Sequence, residues 1–196
     1  DFPMVLFGSI GHPKEVSVDT PSTDGLRDAV NHVVEFGHRL IGSIPFSPPG
    51  FSAADGRLSE LRAFLDSHGI RMDDDCVVAG DFSAESGFAA TLELMARRPD
   101  ITAIFAGNDT IALGVIGALA KLGKSVPRDV SVVGFDDLPF AGFVAPPLTT
   151  VRVDAIHQGR CAAEALMLRL KGKLVPEPRQ RFKSTFIPRS STSAVR

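Results

Sequence analysis

Short apolar runs alternate along the chain with longer stretches in which apolar residues recur every three or four positions. The short runs predict buried strands, at residues 4–7, 40–44, 76–79, 103–106, 130–133 and 185–187. The periodic stretches predict helices, near residues 24–36, 58–65, 88–95, 110–122 and 156–170. Gly37, Gly69 and Gly172 follow three of these helices, where a left-handed residue commonly ends a helix.

This alternation of strand and helix indicates the fold class. Helices of this length between strands predict right-handed βαβ units and parallel sheets with helices on both faces, which is an α/β fold. The 196 residues suffice for one domain or for two small lobes. Proline-bearing stretches near Pro21, at 146–148 and at 174–178 are the candidate crossings between two lobes.

Composition and charge exclude several classes of protein. Lysine and arginine number 21 against 23 aspartate and glutamate residues, so this segment has no basic surplus for gripping nucleic acid by itself. No apolar run approaches the roughly 20 residues that cross a bilayer, and we expect no membrane partner. Two distant cysteines, Cys76 and Cys161, suit a reducing compartment and a cytoplasmic protein. The sequence starts at Asp1 without an initiator methionine, which predicts a further segment upstream.

Candidate ligand-binding residues follow the predicted strands. In open α/β sheets, ligands bind beyond the carboxyl ends of the strands. Arg57, Phe82, Asn108 and Asp136 come after the second, third, fourth and fifth predicted strands, in that order. Guanidinium, amide and carboxylate groups hold hydroxyls or ring nitrogens, and a phenylalanine ring packs on a flat apolar face. These four residues therefore predict a site for a small polar ligand such as a sugar or a nucleobase.

Structural roles are open for the same residues. Asn108, like its neighbour Asp109, is a natural helix N-cap, a role worth about 1 kcal/mol of stability. Phe82 alone is typical of a core residue, and Arg57 alone of a solvated helix face. Asp136 is the strongest candidate for ligand contact, because it directly follows a buried strand and precedes a second aspartate that can serve as the cap.

Motifs of enzymes and metal sites are absent from the sequence. No G-x-G-x-x-G follows a strand, no G-x-S-x-G elbow occurs, and the five histidines form no H-E-x-x-H or Cys/His cluster. No nucleophile–base pair stands out. We therefore expect a binding protein rather than an enzyme, with no cofactor and no metal.

Several segments resemble the LacI/GalR family of bacterial transcription regulators. They are residues 37–42, 80–82, 102–109 with 111–114, 126–137, 146–151 and 189–192. The runs Ser-Val-Val-Gly-Phe-Asp-Asp at 131–137 and Pro-Pro-Leu-Thr-Thr-Val at 146–151 are highly specific to that family. Together the segments span nearly the whole chain, in the family's order and spacing.

The resemblance implies a type I periplasmic-binding-protein-like sensor with two lobes, the first of them incomplete in this chain. Residues 1–21 and 149–176 would form part of the N-terminal lobe, and residues 22–148 with 177–196 the C-terminal lobe. Family effector contacts map onto Arg57, Phe82, Asn108 and Asp136. The implied partners are a sugar-like effector, a second copy of the chain, and operator DNA reached only through an upstream helix-turn-helix.

The resemblance leaves the effector and one alternative function open. Phe51 and Ala53 stand where family members often carry polar contacts, and Gly8 stands where a polar residue can face the ligand. A carbohydrate or related metabolite is the expected effector. For the dimer contact we expect the apolar helix 111–122 and the segment 140–144. A periplasmic sugar-binding protein of a transporter would share the fold, and it is the alternative.

Overall fold

A computed structural model describes residues 2–7 and 15–195 of the chain. Gly8, one of the positions singled out above, lies outside the described residues. Within these ranges there are eight strands: β1 (Leu6–Phe7), β2 (Ser17–Asp19), β3 (Ile41–Ile44), β4 (Ala103–Ala106), β5 (Ser131–Val133), β6 (Thr150–Arg152), β7 (Arg179–Arg181) and β8 (Thr185–Ile187). Five α-helices accompany them: α1 (Thr23–Glu35), α2 (Ser52–Ser67), α3 (Ala84–Arg97), α4 (Asp109–Lys121) and α5 (Ala155–Leu170).

Two parallel sheets organise these elements. The first sheet has the order β1-β2-β7, and the second has the order β3-β4-β5. A separate antiparallel pair joins β6 to β8, and two isolated bridges connect it to β5 and the loop after it, Val133 with Thr149 and Asp136 with Arg152. Parallel sheets with helices between their strands confirm the α/β fold expected from the sequence.

The second sheet carries the main hydrophobic core on both of its faces. Helices α3 and α4 cover one face with fully buried side chains that include Leu94, Ile111 and Leu119. Helices α1 and α2 cover the other face with residues such as Val30 and Leu65. Each large apolar side chain buried in this way contributes about 1.5–3 kcal/mol. The sheet is therefore a rigid support for the loops that leave its carboxyl edge.

Glycine residues end four of the helices and allow two helices to pack closely. Gly37, Gly69, Gly123 and Gly172 follow four helices with φ between 66° and 88°, a conformation that favours glycine. At Gly114 a Cβ would overlap the backbone carbonyl of Ala84, so glycine allows α4 to approach α3 closely.

The predicted strand at 76–79 is wrong as a full strand. Residues Asp74–Cys76 form a short 3-10 turn, and Val77 makes a single bridge to Ser43 of β3. The segment lies along the free edge of the second sheet, where only one neighbour is available. Its amides at Val78 and Gly80 donate to the carbonyls of Ser43 and Pro45, so it still follows the direction of β3.

The division into two lobes stays a prediction, and strand pairing bears on its boundaries. Helix α5 packs against β1 and β2 of the first sheet, whereas α1 packs against α2, β6 and β8. Thr150–Arg152 and Arg179–Arg181 thus pair across the boundaries that the sequence suggested at 149 and 177. We propose crossings near Pro21, Val153 and Phe182 instead. Among the described residues, no helix is both long and apolar enough to span a membrane.

Candidate functional site

The carboxyl edge of the second sheet gathers three loops. Pro45 and Phe46 follow β3, Gly107 and Asn108 follow β4, and the turn that begins at Gly134 follows β5. The strands are parallel, so these loops emerge on the same side of the molecule. Helix α2 starts beside them and brings Arg57 to the edge.

Arg57 lies between two aromatic rings. Its guanidinium carbon is 3.5 Å from the ring centre of Phe135 and 4.8 Å from that of Phe46. Its Nη1 donates to the carbonyl of Gly107 at 2.7 Å, and its buried Nε has no hydrogen-bond partner among the described residues. Burial lowers the pKa of Arg57 to about 10, although the nearby Asp136 and Glu60 carboxylates raise it. The group stays charged at neutral pH and retains donor capacity for a ligand.

Asp136 is the acidic counterpart of Arg57. It directly follows Phe135, is half-buried, and has a φ of 106°, which is unusual for a residue with a side chain. Burial raises the pKa of Asp136 to about 6; Arg57 lowers it and Asp109 raises it further. At neutral pH the carboxylate is ionised in a partly desolvated place, where hydroxyl donors would stabilise it.

Asp109 holds the turn that presents Asp136. It is fully buried, and its two carboxylate oxygens accept from the Leu138 amide at 2.7 Å and from the Thr150 hydroxyl at 2.6 Å. Its own amide donates to the carbonyl of Phe135 at 2.8 Å. Burial also raises the pKa of Asp109 to about 6. Three elements are thus tied together immediately behind Asp136.

Asn108 performs the capping role that the sequence left open. Its Oδ1 accepts from the Ile111 amide at 2.7 Å and so caps α4. Its Nδ2 donates to the carbonyl of Phe82 at 3.4 Å. Phe82 has a φ of 73°, is about half exposed, and packs on Phe46 with ring centres 4.9 Å apart. Ligand contact by Asn108 and Phe82 stays a prediction.

A cavity of about 360 Å³ joins the two sheets and is called the cleft below. Arg57, Glu60, Phe135 and Asp136 line it from the side of the second sheet. Asn108 and Phe82 lie outside its wall, and they connect to Arg57 through Gly107 and Phe46. The four predicted residues therefore form one neighbourhood, of which Arg57 and Asp136 share the cavity.

The opposite wall of the cleft was not predicted from the sequence. Asp19, Gln158 and Arg181 line it from the side of the first sheet. Asp19 and Arg181 lie on β2 and β7, which are three residues each and gave no long apolar run, and Gln158 lies on α5. The signal that was present is the alternation Val16-Ser17-Val18-Asp19, in which both valines are buried.

Comparison with protein families and curated proteins identifies relatives across most of the chain. A family described as "Periplasmic binding protein-like domain" matches residues 30–192. The HTH-type transcriptional regulator CelR of Thermobifida fusca is 39% identical over 166 residues, which is 84% of this chain and 48% of CelR. The chain thus spans about half the length of this relative.

Solved structures give the same result. A transcriptional regulator CelR–cellobiose complex matches with a TM-score of 0.87 and 35% identity, over 95% of this chain and 58% of the other. A dimeric Lac repressor matches with a TM-score of 0.88 and 29% identity, over 97% of this chain and 69% of the other. The fold is shared with both.

Proposed function

The chain belongs to the family of periplasmic binding protein-like domains, its relatives are LacI-type regulators, and from this premise we propose that it senses a small polar effector for such a regulator. The observation that carries the proposal is the Arg57–Asp136 pair at the carboxyl edge of a parallel sheet, beside the cleft. Parallel α/β sheets bind ligands at this edge. The regulators in this family are not enzymes, in agreement with the expected class.

A sugar is the effector class that best suits the chemistry of the cleft. A hydroxyl group donates to the Asp136 carboxylate and accepts from the Arg57 guanidinium, and each charged hydrogen bond contributes about 1.5–3 kcal/mol. The Phe135 ring lies against the Arg57 guanidinium and lines part of the same cavity. The CelR structure named above is a cellobiose complex, so cellobiose is the first sugar to test.

Effector binding would act through the angle between the two sheets. The cleft is lined from both sides, so a ligand that fills it contacts both sheets at once. Only a difference in affinity between the open and closed arrangements changes their populations. A coupling of about 1–3 kcal/mol to an upstream DNA-binding segment is typical of such systems. Operator binding through that segment, in the cytoplasm, belongs to the proposal.

Isothermal titration calorimetry on this chain tests the sensor function. Cellobiose, glucose, galactose and ribose are titrated into the wild type, into Asp136→Asn, and into Asp28→Asn, an exposed control on α1. We expect at least one sugar to bind the wild type and the control with equal affinity, and the Asp136 variant to bind it about tenfold to a hundredfold more weakly. Binding that is unchanged in Asp136→Asn would overturn the assignment.

Self-association is the second part of the proposal. The ring of Phe143 is 90% exposed, in the segment 140–144 that the sequence singled out, and Leu122 at the end of α4 is 44% exposed. Burial of an exposed ring of this size in a contact would contribute about 1.5–3 kcal/mol. Sedimentation velocity on the wild type and on Phe143→Asp tests this, with a dimer that dissociates in the variant as the expected result. A monomeric wild type at 100 µM (roughly the affinity range of weak interfaces) would contradict it.

The transporter alternative is not favoured. CelR and the Lac repressor, the relatives with the matches given above, are regulators rather than transport proteins.

A further inference from the structure

A second acid–guanidinium pair stands at the carboxyl edge of the first sheet. Asp19 ends β2, Arg181 ends β7, and the two residues are register partners in neighbouring parallel strands. Side chains of register partners emerge on the same face, so the carboxylate and the guanidinium are neighbours. The amide of Phe182 donates to the Asp19 carbonyl at 2.9 Å and holds the strand ends together. Both residues line the cleft opposite Arg57 and Asp136.

We propose that Asp19 and Arg181 form the first-sheet half of the effector site, and that the two facing pairs select a neutral polyhydroxyl ligand over a phosphorylated or acidic one. This inference rests on the proposed sensor function and specifies the ligand of that site.

The charges around the cleft give the first argument. Among the residues that the structure describes, three carboxylates line it, those of Asp19, Glu60 and Asp136, against the two guanidinium groups of Arg57 and Arg181. Arg57 already donates to a backbone carbonyl, and Glu60 already accepts from the hydroxyls of Ser22 and Thr23. An anionic ligand would therefore meet a wall with an excess of negative charge, and like charges held close together are strongly unfavourable.

Partial desolvation of the first-sheet wall gives the second argument. Asp19 is half-buried, and burial raises its pKa, with Arg181 acting in the opposite direction. Gln158 is buried on α5 and donates to the hydroxyl of Thr20, the residue after Asp19, so the rim of this wall is held in place. Arg181 itself is exposed, so the partly buried Asp19 carboxylate is the group that discriminates between ligands more strongly than a fully exposed one would.

The chemistry of a neutral sugar matches both pairs. A hydroxyl is at once a donor and an acceptor, so vicinal hydroxyls can donate to a carboxylate and accept from the adjacent guanidinium. One sugar molecule can do this at each wall. A ligand bound by Arg57 and Asp136 alone would leave the first sheet free, whereas a ligand that also contacts Asp19 and Arg181 favours the closed arrangement.

The test is calorimetric titration of the wild type, Asp19→Asn, Arg181→Met and the control Lys183→Met. Lys183 is exposed two residues beyond Arg181 and lies outside the cleft wall. The probes are cellobiose, glucose, glucose 6-phosphate and gluconate. We expect the neutral sugars to bind the wild type and the control at least tenfold more tightly than the two anions. Each cleft variant should lose about tenfold or more of the affinity for the neutral sugar.

One result separates a ligand-contacting role from a merely structural one. Asp19→Asn removes a negative charge, so it should weaken binding of the neutral sugar while leaving the weak binding of glucose 6-phosphate unchanged or improved. A folding defect would weaken both, and far-UV circular dichroism monitors it. Neutral sugars that bind both cleft variants as tightly as the wild type would overturn this inference and leave the sensor function standing. Tighter binding of either anion by the wild type would also overturn it, and no binding of any probe would refute both proposals.

Discussion

Replacing Arg57 by methionine should separate stability from effector binding. The pKa of Arg57, lowered to about 10, reflects a net cost of its charge, because burial outweighs the attraction of Asp136 and Glu60. A pKa change of one unit corresponds to about 1.4 kcal/mol. Because part of the Arg57 side chain is exposed and screened by solvent, we take the cost of its charge as about 2–3 kcal/mol. Methionine removes that cost and keeps an unbranched, flexible side chain between the rings of Phe46 and Phe135.

Losses of similar size oppose this gain. The carbonyl of Gly107 loses a charged hydrogen bond, worth about 1.5–3 kcal/mol, and the aromatic rings lose a cation–π contact worth about 0.5–2 kcal/mol. A sulfur–aromatic contact returns about 0.3–1.5 kcal/mol. The free energy of unfolding should therefore change by less than about 2 kcal/mol. The effector loses its guanidinium partner, which weakens its binding by about tenfold to a hundredfold.

Two assays on the same variants decide the matter. Urea unfolding is followed by far-UV circular dichroism, since the chain has no tryptophan or tyrosine for fluorescence. Calorimetry measures affinity for the sugar that binds the wild type. Arg27→Met is the matched control, because Arg27 lies over the ring of Phe64 at 5.3 Å on the exposed side of α1. Unchanged affinity in Arg57→Met, or a stability loss above about 4 kcal/mol, would refute the reasoning.

Three further predictions concern the support of the site. Gly134→Ala should lower the free energy of unfolding by about 1–3 kcal/mol in urea melts, because its Cβ would overlap Asp109 Oδ1 and lie 2.9 Å from Leu148 Cδ2. Gly142→Ala is the control and should be neutral, since its nearest contact is at 3.9 Å. Equal effects of the two substitutions would refute the packing argument. The raised pKa of Asp109, about 6, means that ionising this carboxyl lowers the free energy of unfolding. The loss is absent below about pH 4 and complete above about pH 7. As the pH falls through this range, the free energy of unfolding of the wild type should therefore rise by up to about 3 kcal/mol relative to that of Asp109→Asn. Plots of unfolding free energy against pH that run parallel for the wild type and Asp109→Asn would contradict this prediction. The raised pKa of Asp136, about 6, predicts that sugar affinity measured by calorimetry falls below pH 6, as the carboxylate gains a proton, and a flat profile from pH 5 to 8 would exclude Asp136 as an acceptor.

The second sheet was predictable because its strands are short runs buried on both faces. Ile41–Ile44 and Ala103–Ala106 are buried at every position, and parallel strands covered by helices give such continuous runs. The rule that ligands bind beyond the carboxyl ends of parallel strands then placed Arg57 and Asp136 at this edge without knowledge of the packing. The same logic could not locate the opposite wall, because β2 and β7 are only three residues long and β7 is exposed at both ends.

Other features depend on contacts that no local pattern contains. Asp109 resembled a helix cap in the sequence, yet its carboxylate is fully buried and binds Leu138 and Thr150, residues 29 and 41 positions away. The positive φ of Asp136 lies beside these distant contacts, and no local sequence pattern predicted it. The strand predicted at 76–79 is reduced to a single bridge at Val77 for a similar reason. Its length depends on neighbouring strands at the sheet edge, which the local sequence does not specify.

A crystal structure of this chain grown with cellobiose, or with whichever sugar of the panel binds best, tests the central claim most directly. The sugar should lie in the cleft, with hydroxyl oxygens within 2.7–3.2 Å (roughly hydrogen-bond range) of the Asp136 carboxylate and the Arg57 guanidinium. A well-ordered sugar bound elsewhere on the chain, with Arg57 and Asp136 contacting only solvent, would contradict the claim.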